Sequence, residues 1–144
     1  MLINIVKSTR PMQWTKSFFV FFPFFFSINE AWGWNDYGNL FSILINLTLT
    51  LVVFTLASSS IYLMNDVIDR DKDRLHPQKR FRPIASGQLE PKPAMFSSAI
   101  ICFSALILSL MVNLSLLAIL LAYLILMIGY GFIFRNIVLV DVTT

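Results

Sequence analysis

Two long apolar runs without a single charged residue dominate the chain, at residues 40–64 and 94–134. A helix needs about 20 apolar residues to cross a bilayer, so the first run is long enough to span once with some tilt. As one helix the second run would reach roughly 60 Å, about twice the thickness of the hydrocarbon core. We therefore predict two spans there, 94–112 and 115–134, joined by a tight hairpin at Asn113.

A third apolar segment near the N-terminus is shorter and contains a proline. Residues 18–28 are uncharged, and extending the helix back to Trp14 lets the stem of Lys16 reach the membrane interface. Pro23 either kinks this helix, which is the interpretation we favour, or breaks it into a partly interfacial segment. We predict a first span over residues 14–34, which makes four spans in this chain.

All basic residues fall on one side of this arrangement. Three lie before the first span or at its start, seven lie between the second and the third, and one follows the fourth, which accounts for the 11 Lys and Arg. Cytoplasmic loops of membrane proteins carry the excess of Lys and Arg. The expected fold is therefore all-α, a multi-span transmembrane helical bundle in the cytoplasmic membrane, with the N-terminus and the loop 65–93 in the cytoplasm.

Composition agrees with an integral membrane protein. Hydrophobic residues make up 57% of the chain and charged residues 13%, against about 25% charged in soluble domains. The net charge of +3 is modest and the basic residues alternate with acids beside the bilayer, so nucleic acid is not a predicted partner. A new apolar run begins at Ile137, and we expect the chain to be the N-terminal part of a larger membrane protein.

The densest charge lies directly after the second span and begins with an acidic pattern. If that span continues as a helix, four side chains lie within an arc of about 100° on one face: Asn65, Asp66, Asp69 and Asp73. Neighbouring carboxylates repel each other unless a cation lies among them, and Mg²⁺ binds through one or two carboxylates together with substrate phosphates. These four residues are the predicted Mg²⁺ ligands for a diphosphate substrate. The alternative is a solvated helix end with local ion pairs.

A basic loop ordered by Pro and Gly follows the acidic segment. His76 precedes a proline, which disfavours further helix, and Lys79, Arg80 and Arg82 follow before Gly87. Arg offers a planar fork to phosphate and Lys a point charge. We predict that Lys79 and Arg82 contact phosphate, whereas a preference for positive charge at the cytoplasmic side explains only the charge count. His76 either contacts the substrate or ends the helix structurally.

Together these patterns resemble the UbiA-type intramembrane prenyltransferase superfamily. Asn65-Asp66-x-x-Asp69-x-x-x-Asp73 is similar to its first aspartate-rich motif, and Arg82-Pro83-Ile84-x-Ser86-Gly87 is similar to its RP-x-x-SG loop. The resemblance implies that Asp66, Asp69 and Asp73 are catalytic. It also implies a fold of about nine spans around a cavity and a second aspartate-rich motif, which this chain does not contain.

Two further segments share this resemblance. Arg10-Pro11-x-Gln13-Trp14-x-Lys16 resembles the beginning of the family's first helix, and Tyr130 with Arg135 resembles a Tyr…Lys element after its fourth span, with Arg in place of Lys. The resemblance implies substrate contacts for Arg10, Lys16, Tyr130 and Arg135. The alternative is that these residues anchor the helices at the membrane interface.

Within the superfamily, the segment 76–87 most resembles polyprenyl-phosphate phosphoribosyltransferases. That resemblance implies Mg²⁺-dependent transfer of 5-phosphoribose from phosphoribosyl diphosphate to a polyprenyl (decaprenyl) phosphate, with release of diphosphate. Residues 1–144 would be the N-terminal part of one transmembrane domain, inactive without its C-terminal spans. The alternatives are transfer of a polyprenyl group from its diphosphate to an aromatic acceptor, and a non-catalytic membrane fragment that binds metal or anionic lipid.

Overall fold

The computed structural model of the chain describes residues 1–27 and 37–131, and all regular structure within these ranges is helical, as predicted. Six α-helices and two 3₁₀-helices follow one another: α1 Leu2–Ser8, a 3₁₀-helix Pro11–Phe21, α2 Phe22–Phe26, α3 Tyr37–Ile68, α4 Arg70–Leu75, a short 3₁₀-helix Lys79–Phe81, α5 Pro91–Val112 and α6 Leu114–Gly129.

Two of the described helices, α3 and α5, are long and apolar enough to cross a bilayer, and α6 is a shorter apolar helix. The predicted spans 40–64 and 94–112 lie within α3 and α5. Residues 115–129 of the predicted fourth span lie in α6, and its last three residues, 132–134, fall outside the described part of the chain.

The segment predicted as the first span has a different helical form from the one expected. Residues 11–21 form a 3₁₀-helix, which at about 2.0 Å per residue extends roughly 22 Å. The change to α-helix occurs at Phe22, so that Pro23 lies in the first turn of α2. Proline is well tolerated there because the first-turn N–H groups have no intrahelical partner. The end of the predicted span, 28–34, lies outside the described residues.

Small side chains allow α3 and α5 to pack closely. Ala57 and Ser60 on α3, and Ser98 and Ala105 on α5, are all buried. The Ser98 hydroxyl donates a 2.8 Å hydrogen bond to the Ser60 carbonyl across the interface. Small residues and hydroxyls of this kind let helix backbones approach each other in membranes, where the hydrophobic effect does not drive association between helices.

The polar break predicted at Asn113 is confirmed. Asn113 has an extended backbone between α5 and α6, and its side-chain oxygen accepts a 2.7 Å hydrogen bond from the Leu116 N–H. This contact caps the first turn of α6, whose N–H groups would otherwise lack partners. The helix therefore ends and restarts at one residue, which allows α6 to fold back beside α5.

The loop between α4 and α5 packs against the C-terminal end of α3. Ile84 and Leu89 are buried in a cluster with Leu63 of α3 and Ala94 of α5. The Leu89 N–H donates to the Pro83 carbonyl at 2.9 Å. The loop is thus attached at several points, and this attachment determines where the basic residues at its start can reach.

Candidate functional site

The helical path continues through the acidic pattern almost as predicted. Helix α3 ends at Ile68 and α4 begins at Arg70, but Asp69 N–H donates to the Asn65 carbonyl at 2.9 Å and Asp73 N–H donates to Asp69 at 2.8 Å. These i to i−4 bonds keep the predicted face intact across the junction. The helix ends at Leu75, and His76 is extended, so the predicted stop before the proline is confirmed.

The three carboxylates of this face are buried. Asp66 is 2% exposed, Asp69 is 8% exposed and Asp73 is 4% exposed. Charged side chains are seldom buried to this degree unless a partner of opposite charge compensates for the lost hydration. Two arginines outside the acidic pattern, Arg10 and Arg82, supply that charge to Asp66 and Asp73.

Arg82 bridges two of the carboxylates. Its Nη1 atom lies 2.6 Å from Asp73 Oδ2 and 3.2 Å from Asp66 Oδ1. Asp66 and Asp73 are two helical turns apart, so a single guanidinium group spans the distance between them. The bridge depends on the packed loop described above, because Ile84 immediately follows the Arg82–Pro83 pair and is buried against α3.

Arg10 reaches the same carboxylate from the N-terminal segment. Its Nη2 atom lies 2.6 Å from Asp66 Oδ1, and its guanidinium group lies 4.9 Å from the centre of the Tyr62 ring. Arg10 has a left-handed backbone with φ 53°, and no other non-glycine residue in the described ranges has a positive φ. Such a conformation costs about 1–3 kcal/mol and is concentrated at functional sites.

Trp14 joins the N-terminal segment to α3. Its indole N–H donates to the Thr9 carbonyl at 3.2 Å and to the Ser59 hydroxyl at 3.1 Å. Trp14 therefore has a defined polar contact in addition to any role as an interface anchor. Sequence analysis missed Ser59 and Tyr62, although their spacing of seven and four residues before Asp66 places all three on one helix face.

The remaining predicted contacts are more peripheral in this structure. The exposed His76 accepts hydrogen bonds at Nδ1 from the N–H groups of Gln78 and Lys79, at 3.2 and 3.3 Å, which stabilises the turn. Lys79 and Lys16 are exposed, and neither forms an ion pair within the described residues. Arg80 lies 4.8 Å from the Phe81 ring centre.

The C-terminal end of α6 comes close to the acidic face. A Cβ atom at Gly131 would lie 3.6 Å from Asn65 Oδ1. Tyr130 is exposed at this same end of α6, and Arg135 lies outside the described residues. Among the predicted site residues, four form ion pairs with one another in the structure: Asp66, Asp73, Arg10 and Arg82.

The donor set fits a Mg²⁺ ion that is shared with a substrate. Two buried carboxylate oxygens, on Asp66 and Asp73, already converge on one cationic nitrogen of Arg82. No group of three His, Cys, Asp or Glu side chains in residues 1–27 and 37–131 is arranged to hold a metal by itself. Mg²⁺ commonly takes one or two carboxylates and completes its coordination with phosphate oxygens and water. The two carboxylate groups supply only oxygen ligands, which suits a Mg²⁺ ion that shares its coordination with substrate and water. They are too few to enclose the ion with protein ligands alone.

Comparison with known proteins identifies the family. The pattern of the UbiA prenyltransferase family matches residues 20–142. The chain belongs to this family. The matched range contains helices α3 to α6, the buried acidic face and the basic loop. Membership in this family, together with the two apolar helices of spanning length, makes the chain a membrane protein.

Curated relatives of this chain carry a more specific name. It is 30% identical over 139 residues to a decaprenyl-phosphate phosphoribosyltransferase of Mycolicibacterium smegmatis, covering 96% of this chain and 42% of the relative. It is 31% identical over 142 residues to the protein of that name in Mycobacterium tuberculosis, covering 99% and 46%. A protoheme IX farnesyltransferase of Bacillus licheniformis is 35% identical over 72 residues, covering 46% and 23%. The chain thus spans less than half the length of these relatives.

Proposed function

We propose that this chain forms part of an enzyme that transfers 5-phosphoribose from phosphoribosyl diphosphate to a polyprenyl phosphate in a membrane. The observation that carries the proposal is the convergence of Arg10 and Arg82 on one buried carboxylate face. The similarity to proteins named decaprenyl-phosphate phosphoribosyltransferase, at 30–31% identity over nearly the whole chain, selects this reaction within the family.

The two arginines are the first candidates for binding the donor. Each already holds a carboxylate oxygen at 2.6 Å, and a diphosphate offers a guanidinium group more anionic oxygens and more charge. If both guanidinium groups moved from the carboxylates to the phosphates of the donor, they would contact the diphosphate that leaves in the reaction. Lys79, Lys16 and Tyr130 are exposed and are proposed to contact the outer groups of the ligand. His76 would orient ligands from the loop rather than remove a proton.

Mg²⁺ is the proposed cofactor, with Asp66 and Asp73, whose carboxylates converge on Arg82, as its first protein ligands. Asn65 and Asp69, on the same predicted helix face, are the further candidate ligands. When bound, the metal would neutralise the negative charge that develops on the departing diphosphate. Arg10 and Arg82 would stabilise the same charge from the protein side. The bond between the anomeric carbon and the diphosphate oxygen breaks, and an oxygen of the acceptor phosphate forms the new bond to that carbon. This acceptor is already anionic, so no general base is required.

The remaining partners follow from this reaction. The acceptor lipid would enter from the bilayer, and the C-terminal spans of the same protein would complete the cavity. We propose that the N-terminus and the loop 65–93 face the cytoplasm in the cytoplasmic membrane, because all basic residues fall on that side.

A second candidate function is prenyl transfer to an aromatic or similar acceptor. The similarity of 72 residues to a protein named protoheme IX farnesyltransferase favours it. Both reactions use a diphosphate leaving group, so they share the acidic face and the arginines. They differ in which substrate carries the diphosphate.

The deciding experiment is a label-transfer assay on membranes that contain the product of the full-length gene. Labelled phosphoribosyl diphosphate is supplied with decaprenyl phosphate, with and without Mg²⁺, beside an Asp69→Ala variant expressed at the same level. We expect Mg²⁺-dependent label in the lipid phase that the variant abolishes. Absence of transfer from well-expressed protein, combined with transfer from a labelled prenyl diphosphate, would replace the proposal by the second candidate.

A further inference from the structure

Tyr62 is a half-buried aromatic residue for which the proposed reaction has no role. It lies one helical turn before Asp66, so that its ring and the Asp66 carboxylate share one face of α3. The Arg10 guanidinium group lies between them, 4.9 Å from the ring centre and 2.6 Å from Asp66 Oδ1. We propose that Tyr62 is a positioning residue that holds Arg10 over Asp66, ready for transfer to the phosphate of an incoming donor.

Geometry explains why Arg10 needs such a support. Its backbone is left-handed and is followed by Pro11, and both features restrict the conformations available to the residue. A strained residue keeps its conformation only when surrounding contacts determine it. The Tyr62 ring supplies a contact that does not compete for the hydrogen-bond donors of the guanidinium group, since a cation–π interaction uses its face.

The charge balance at Asp66 gives this role a measurable consequence. Asp66 Oδ1 accepts from both Arg10 and Arg82, so a metal ion that binds without a donor must displace positive charge from the carboxylate. Loss of the ring loosens Arg10 and removes part of that competition. The same loss leaves Arg10 less ordered when a diphosphate arrives. The positioning role therefore predicts that loss of the ring strengthens the binding of the metal alone and weakens the binding of the donor.

The test compares Tyr62→Leu with wild type in the full-length protein in nanodiscs. Binding of Mn²⁺ alone is followed by electron paramagnetic resonance, and KM and kcat for phosphoribosyl diphosphate are measured with decaprenyl phosphate. We expect the Kd of Mn²⁺ to fall about two- to tenfold and the donor KM to rise by a similar factor, as suits the loss of one cation–π contact. We expect kcat to change less than twofold. Tyr62→Phe, which retains the ring, should restore both values.

Two further variants separate positioning from general damage. Phe54→Leu removes a half-buried aromatic ring two turns earlier on α3, where it packs against Tyr123, and should leave both readouts unchanged. Arg10→Gln should shift the Kd of Mn²⁺ and the donor KM in the same directions as Tyr62→Leu and by at least as much, and it should also lower kcat because Arg10 would contact the leaving diphosphate. Adding Tyr62→Leu to Arg10→Gln should have no further effect. A Tyr62→Leu variant that weakens metal and donor binding together, or a full additional effect in the Arg10→Gln background, would overturn the inference.

The donor measurement rests on the proposed function, whereas the metal measurement does not. If wild type transfers no phosphoribose but the Mn²⁺ shift appears and Phe restores it, the proposed reaction fails and the positioning role stands. If wild type transfers phosphoribose and Tyr62→Leu alters neither value, the positioning role fails and the reaction stands.

Discussion

At the residue scale, the site is a balance of buried charges. Asp66 and Asp73 are almost fully buried, and the Arg82 side chain that joins them is 25% exposed. A buried ion pair is weak evidence for net stability, but removing one partner leaves an uncompensated charge and is strongly destabilising. Arg82 would thus link stability and the proposed donor binding in one side chain.

Arg82→Gln is expected to destabilise the protein by about 3 kcal/mol, because Asp73 loses its guanidinium partner while Asp66 keeps Arg10. In thermal unfolding of the detergent-solubilised protein this corresponds to an apparent Tm roughly 6–12 °C lower. Mg²⁺ should recover part of the loss, since a divalent cation then neutralises the same carboxylates.

Arg80→Gln is the matched control for this prediction. Arg80 lies two residues earlier in the same loop and stacks on Phe81 without an ion pair in the described part of the chain. We expect Arg80→Gln to lower the free energy of unfolding by less than about 1 kcal/mol. Equal losses in the two variants would show that the bridge to the carboxylates has no special contribution.

At the element scale, the loop between α4 and α5 and the junction between α5 and α6 determine how the helices meet. The loop is held by buried Ile84 and Leu89, and by Arg74, whose Nε donates to the Ala85 carbonyl at 3.1 Å. The junction depends on one capping side chain, Asn113. Each element depends on a particular residue type at one position, and each can be tested there.

Gly87→Ala should destabilise the protein by about 1–2 kcal/mol through the backbone alone. Gly87 has φ +82°, and an added Cβ would meet no atom within 4 Å, so only the left-handed conformation is penalised. Gly129→Ala is the control, because its Cβ also meets nothing within 4 Å but the residue is helical. Alanine there should stabilise by up to about 1 kcal/mol. If denaturation experiments show that Gly87→Ala and Gly129→Ala change the free energy of unfolding in the same direction, the backbone conformation of Gly87 does not explain its effect.

Asn113→Ala should cost about 1 kcal/mol, because the first turn of α6 loses the cap on the Leu116 N–H. Asn113→Asp keeps an acceptor oxygen and should retain most of the stability. Thermal unfolding of both variants side by side measures the difference. If Asn113→Asp is as unstable as Asn113→Ala, loss of the capping hydrogen bond does not explain the effect.

At the scale of the whole molecule, apolar side chains cover the outer faces of the long helices. On α5, Phe96, Phe103 and Leu110 are more than half exposed, and their spacing of seven residues puts them on one stripe. Such a surface is stable where lipid or further helices of the same protein surround it. The orientation of the bundle in the membrane then decides which side of the membrane the acidic end of α3 faces.

The distribution of basic residues predicts that the α4 end of the bundle is cytoplasmic. In a cysteine-free background that includes Cys102→Ser, Lys72→Cys and Asn113→Cys introduce single thiols at exposed positions near opposite ends of α5. An impermeant maleimide added to intact cells should label Asn113→Cys only, and lysis should make Lys72→Cys reactive. The reverse pattern would invert the proposed orientation.

The sequence alone was sufficient for the features that depend on local chemistry. Apolar runs predicted the helices α3 and α5, and the residue before Pro77 predicted the helix end at Leu75. Helical spacing predicted that the acidic side chains share a face, and a polar break predicted the cap at Asn113. These outcomes follow from hydropathy, periodicity and backbone preferences, which neighbouring residues determine.

Tertiary structure decided which charges meet. Arg10 and Arg82 are 56 and 16 residues from Asp66, and no periodicity relates such distant positions. Loop packing on Leu63 placed Arg82 between two carboxylates, and the left-handed turn at Arg10 directed its side chain across Tyr62. The sequence predicted Arg82 as a phosphate contact, and the family resemblance implied a substrate contact for Arg10. Only the fold made them partners of Asp66 and Asp73, because buried carboxylates without a cation nearby would be too costly to retain.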